Sequence, residues 1–164
     1  LERLARSTGA LDTVGTAGVC EVFPGAINSI PSRVRLELDI RDTDEARRDH
    51  VLYALAQATE EVAVRRGVRI RTEIISADPP AVCDPALVAI LEDACEAHQL
   101  RFQRMVSRAY HDSLFVSRFA PTAMLFIPCR GGVSHRPDEY ASPAAIADGV
   151  TVLAETLAQL SLRA

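Results

Sequence analysis

The sequence predicts a mixed α/β protein in two parts: residues 1–78 as an incomplete ferredoxin-like α+β unit, and residues 79–164 as part of an α/β domain. Three observations predict it. Two stretches, "SRVRLELDIRD" and "VRIRTEIIS", alternate apolar and polar residues on either side of a long amphipathic segment, and alternation is the mark of a half-covered strand. A Pro- and Asp-rich break, "SADPPAVCDP", follows them. Beyond the break the pattern changes to a continuous apolar run, "PTAMLFIP", and a long apolar helix, as in a sheet buried on both faces.

Taken in order, Leu1 to Ser7 reads as the end of a helix closed by Gly9, and Val14, Val19 and Val22 mark a strand ending at Pro24. In the next strand Val34, Leu36, Leu38 and Ile40 face one way, predicting a buried side, and Arg33, Arg35, Glu37, Asp39 and Arg41 face the other. Asp42 with Glu45 resembles a capping box. It opens a helix to Arg66 whose stripe is Val51, Leu55, Ala58 and Val62, stopped by Gly67. Val68, Ile70, Thr72 and Ile74 predict a third strand. Strand, strand, helix, strand is the latter part of a split β-α-β layout, with its first strand and helix expected before Leu1. Asp84-Pro85 opens a helix to about His98 with Leu87, Leu91 and Ala94 inward. "PTAMLFIP" is the buried strand, and Ser142-Pro143 opens the last helix, with Ile146, Val150, Leu153, Leu157 and Leu160 inward.

Composition narrows the class. A hydrophobic content of 48% with 24% charged residues belongs to a globular chain rather than a disordered one. The formal charge of -4 argues against a nucleic-acid partner. All 18 basic residues are arginine, which removes any Schiff-base lysine. Cys20, Cys83, Cys95 and Cys129 are scattered without a C-x-x-C pair, predicting reduced thiols in a cytoplasmic protein. No apolar run reaches the roughly 20 residues that span a bilayer, and the opening residues do not read as a signal peptide.

Several residue groups carry possible chemistry. His135, in "GGVSHRPDEYASP", sits in a loop between the apolar run and the last helix, where ligands collect in open α/β sheets. Gly131 and Gly132 permit unusual backbone and close approach of a substrate. The imidazole suits a metal ligand, a catalytic base or a surface polar residue, and these residues alone do not decide. His111-Asp112 is either an oriented pair or a helix entry capped by Asp112. Arg41 can grip a carboxylate with two parallel hydrogen bonds, and Asn28 offers a donor and an acceptor to a ureido group. Equally, Arg41 reads as a solvated strand arginine. His50 and His98 read as solvated helix positions. The serines lie outside any G-x-S-x-G elbow, and "VGTAGV" lacks the third glycine of a dinucleotide fingerprint.

Two stretches together, "EVFPGAINSIPSRVRLELDIRDTD" and "YHDSLFVSRFAPTAMLFIPCRGGVSHRPDEYASP", resemble the zinc-dependent amidohydrolases that include N-carbamoyl-L-amino-acid hydrolases, allantoate amidohydrolases and β-ureidopropionases. These belong to the wider aminoacylase and carboxypeptidase peptidase family with dinuclear metal centres. The resemblance implies hydrolysis of a ureido or amide C–N bond, with an N-acyl-amino-acid amidohydrolase or dipeptidase as the alternative. It implies two zinc ions (manganese or cobalt as substitutes), a metallopeptidase-like catalytic domain, and a lid that also forms a homodimer. His135 stands at the family's metal-ligand position. Asn28 and Arg41 stand at lid positions that bind substrate, Arg41 taking its carboxylate. Gly131, Gly132 and His111 fall beside the same substrate. The family's general base and other ligands have no counterpart here, so no catalytic residue is assigned and the 164 residues alone read as a non-catalytic lid and subdomain. Where relatives carry S-G-A-G-H-D, this chain has "SRAYHD", with the bulkier Arg108 and Tyr110.

Overall fold

The computed structural model describes residues 1–162. They form two compact units, one of Leu1–Pro80 and one that begins at Ala81, and the mixed α/β expectation holds.

In the first unit, α1 (Glu2–Ser7) precedes an antiparallel hairpin of β1 (Val14–Phe23) and β2 (Arg33–Arg41). The Phe23–Pro24 peptide in the connection is cis. Register places Val22, Cys20, Ala17 and Gly15 opposite Val34, Leu36, Leu38 and Ile40, so the apolar residues share one face. Gly18 falls at a bulge between Ala17 and Val19, which lets Val14 and Val19, of opposite parity in sequence, lie on the same polar face. There Arg35 pairs with Glu21 across the strands at 3.5 Å, and the Arg33 guanidinium lies 4.1 Å over the Phe23 ring. α2 (Glu45–Arg66) keeps the expected stripe, with Val51 buried and Leu55, Ala58 and Val62 half-buried, and Gly67 ends it at φ 63.

A polar node joins these elements. Asp42, its side chain fully enclosed, accepts the Thr13 hydroxyl at 2.5 Å, the Asp44 N–H at 2.9 Å and two donors of Arg47. The expected Asp42–Glu45 capping box is therefore corrected. With the Asp42 carboxylate committed, Asp44 caps the helix by accepting the Arg47 N–H at 2.9 Å, and Glu45 turns to Arg48 at 3.2 Å. Burial pushes the Asp42 carboxyl up, but Arg47, Thr13 and the Asp44 N–H overcome it and hold it well below the usual carboxylate range.

Two further expectations for this unit are corrected. Residues 68–74 form no strand among the described residues, because a strand needs a neighbour's backbone as well as an alternating pattern. The apolar side of β2 is not buried along its length: Val34, Leu36 and Leu38 stay about half exposed, since α2 covers only part of the hairpin.

The second unit contains α3 (Pro85–Ala97), α4 (Ser113–Val116) and α5 (Pro143–Ser161). Asp84 caps α3 by accepting from Ala86 and Leu87, and Ser142 caps α5 by accepting from Ala145. Both helices begin with proline, whose fixed φ suits the first turn. Ala94 and Cys95 of α3 meet Val152 of α5, with Leu91 and Leu100 packed on this small core. Desolvation pushes the Cys95 thiol up, with Glu92 adding to it, so the thiol stays protonated.

"PTAMLFIP" forms no strand among the described residues, and Leu125, Phe126 and Ile127 are more than a third exposed. The predicted buried strand is corrected: an apolar run needs a neighbouring strand to become one, and none pairs with it among the described residues. The inward face of α5 is corrected as well. Val152 and Thr156 are buried, while Leu153 and Leu157 are 48% and 57% exposed. This helix is apolar on more than one side, so periodicity cannot choose the stripe; the approach of Gly149 to Ile127 and of Val152 to α3 does.

Candidate functional site

His135 lies in a loop fastened at its base. The Arg130 N–H donates to the Tyr140 carbonyl at 2.8 Å, Arg130 Nη2 donates to the Asp138 carbonyl at 3.1 Å, and the same guanidinium stands 5.2 Å from the Tyr140 ring centre. Within the loop, Gly131 and Gly132 take φ of 67 and 66, the left-handed region expected of them. His135 itself takes φ 59, which side-chain-bearing residues rarely adopt. Its backbone N–H donates to Glu139 Oε2 at 2.9 Å, and its Nδ1 lies 2.8 Å from Ser134 Oγ. Arg136 closes on Asp138 through two 2.9 Å bonds. The ring is exposed, and its Nε2 has no hydrogen-bond partner among the described residues. Sequence reasoning missed Ser134 and Glu139; a hydroxyl next to the histidine and an acid four residues on are the available signals.

His111 is half-buried and held from two sides. Its Nε2 lies 2.6 Å from Ser107 Oγ, and its ring tilts against Phe126 with centroids 5.7 Å apart. Tyr110 stacks edge-on against Phe115 at 5.8 Å, and the Arg118 guanidinium sits 5.0 Å from that same ring. Asp112 occupies the position before α4, but its side chain makes no capping bond. The simple capping alternative for Asp112 is thereby corrected.

Arg41 is engaged on the polar face of β2. Its Nε and Nη2 reach Asp39 Oδ2 at 2.8 and 2.5 Å, and this hydrogen bond pushes the guanidinium further up from its ordinary value. Any anion taken by Arg41 must share it with Asp39. Asn28 is exposed in the turn closed by the Ser29 N–H on the Ala26 carbonyl at 3.3 Å. His50 and His98 are exposed, as expected. An open hollow of about 460 Å³ is lined by Cys83, Asp84, Arg118 and Thr122 among others, and by none of the candidate residues.

No group of three His, Cys, Asp or Glu side chains able to hold a metal occurs among the described residues. A catalytic zinc requires about three protein ligands. His135 therefore fits as one nitrogen donor of a set and does not complete one. Among the described residues, no helix is long and apolar enough to cross a membrane.

The chain belongs to peptidase family M20/M25/M40, whose family model matches residues 7–159. It is 47% identical over 164 residues to a ureidoglycolate hydrolase of Oryza sativa subsp. japonica, covering 99% of this chain and 34% of that protein. To an N-carbamoyl-L-amino acid amidohydrolase of Geobacillus stearothermophilus it is 38% identical, covering 98% of this chain and 39% of that one. The crystal structure of AtUAH in complex with glyoxylate superposes with a TM-score of 0.91 at 46% identity, over 98% of this chain and 38% of the other. The chain thus spans little more than a third of the length of these relatives.

Proposed function

We propose that the full-length protein is a metal-dependent amidohydrolase that cleaves the ureido C–N bond of a small ureido acid, with ureidoglycolate as the preferred substrate. The observation that supports it is the gradient of likeness: 46–47% identity to two ureidoglycolate hydrolases, against 31–38% to N-carbamoyl-amino-acid and allantoate amidohydrolases.

Hydrolysis adds water to the ureido carbonyl. The C–N bond to the substrate's α-carbon nitrogen breaks, that nitrogen gains a proton, and the carbamate released decays to ammonia and carbon dioxide. From ureidoglycolate the organic product is hydroxyglycine, which loses ammonia to give glyoxylate; AtUAH has been crystallised with each of these two compounds. A divalent metal pair, zinc or in its place manganese or cobalt, would supply Lewis acidity toward the carbonyl and the water when bound. His135 would contribute one ligand through Nε2, and the remaining ligands and the general base would come from other parts of the full-length protein. Arg41 holds the substrate carboxylate, drawing partly away from Asp39, and Asn28 donates to the carbonyl oxygen as charge develops there. Gly131 and Gly132 keep the loop backbone clear of the substrate. His111, set by Ser107 and Phe126, lines the same substrate, and Tyr110 narrows the space beside it. The first unit serves as a lid and homodimer contact.

The test is kcat/KM of the full-length, metal-loaded protein on ureidoglycolate, allantoate, an N-carbamoyl and an N-acetyl amino acid. Ureidoglycolate is expected to lead, and Arg41→Met to raise its KM by about 10- to 100-fold, the worth of a charge-assisted pair. Faster turnover of the N-acetyl compound would overturn the ureido assignment.

A further inference from the structure

We infer that Ser134 and Glu139 are positioning residues that present His135 to a metal ion through Nε2. The inference rests on the proposed ligand role of His135 and adds the means by which this chain achieves it.

Two observations point the same way. His135 holds a left-handed backbone, φ 59, without being glycine. Glu139 reaches back four residues to accept the His135 N–H at 2.9 Å. An exposed carboxylate is ordinarily best served by water, so a return to a single backbone donor is a specific arrangement. Arg136, closed on Asp138, and the Arg130 hold on the Asp138 carbonyl keep Glu139 at the right distance. Ser134 then acts on the ring. Its Oγ stands 2.8 Å from Nδ1. A neutral imidazole has one N–H, and whichever nitrogen lacks it is the ligand. The Ser134 hydroxyl can donate or accept at this distance; in the tautomer a metal selects, Nδ1–H donates to Ser134 Oγ and the Nε2 lone pair is free, and Nε2 is the nitrogen without a hydrogen-bond partner among the described residues. Glu139 thus fixes the backbone that carries the ring, and Ser134 holds the ring at Nδ1 so that Nε2 is left to the metal.

The test uses the full-length protein and measures zinc affinity by competition with a chromophoric chelator, with activity followed as zinc is raised. Ser134→Ala and Glu139→Ala are each expected to weaken binding about 10- to 100-fold, as loss of an outer partner of a metal-bound histidine does, and activity is expected to return at high zinc. Ser134→Thr and Glu139→Gln keep the acceptor oxygen and are expected to bind as the parent does. Parent-like affinity in both alanine variants, while His135→Ala loses one zinc equivalent, overturns the positioning roles and leaves the ligand role standing. Full retention of both equivalents in His135→Ala overturns the ligand role itself. Should Glu139→Ala fail to fold, a folded Glu139→Gln that has lost affinity overturns the acceptor argument, and so does an activity loss in Ser134→Ala that zinc does not restore.

Discussion

Replacing Asp42 by asparagine tests the node that joins the hairpin to α2. The change keeps the shape and one acceptor oxygen but removes the charge and turns an NH2 toward donors. Four hydrogen bonds converge on this carboxylate, from Thr13, the Asp44 N–H and two nitrogens of Arg47. A charge-assisted bond contributes about 1.5–3 kcal/mol. The Arg47 side chain keeps 30% of its surface in water, and screening there argues for the lower part of that range, so the expected loss is about 2 kcal/mol. That corresponds to about a 30-fold fall in hydrogen-exchange protection for amides of β2 and the first turns of α2. The pH dependence has a definite sign. The folded Asp42 carboxyl titrates well below its unfolded value of about 4. Its contribution is therefore complete above that value and fades as pH falls below it. The stability gap between parent and Asp42→Asn, measured by thermal unfolding, is expected to be full at neutral pH and to close in acid. A protection change under about threefold, or a gap that ignores pH, would refute the reasoning.

Two further substitutions probe the second unit. A Cβ added at Gly149 meets Ile127 Cγ2 at 2.5 Å, so Gly149→Ala is expected to lose about 1 kcal/mol in urea unfolding despite alanine's better helix propensity; with Ile127→Ala as background the same change is expected to stabilise instead. Gln99 follows α3 at φ 57, so Gln99→Gly is expected to gain about 0.5 kcal/mol, read as a higher urea midpoint at unchanged slope.

The parts of the fold legible in the sequence are those set by neighbours along the chain. Asp84-Pro85 and Ser142-Pro143 fix where α3 and α5 begin, Gly67 fixes where α2 ends, and the Val34–Ile40 alternation fixes the facing of β2. What depends on distant partners was not legible. Residues 68–74 and 121–128 have strand composition but no strand beside them among the described residues, and α5 is apolar on two stripes with only packing to choose between them. The site follows the same rule. His135 and its two glycines stand out by type and spacing, whereas the grip of Asp39 on Arg41, the seat of His111 against Phe126 and the left-handed backbone of His135 are matters of geometry.

The bond from Arg130 to Tyr140 has an engineering consequence. Because the histidine loop is held at its neck, a single change inside it such as His135→Ala is expected to leave the start of α5 in place, read as unchanged exchange protection of that helix's first turn.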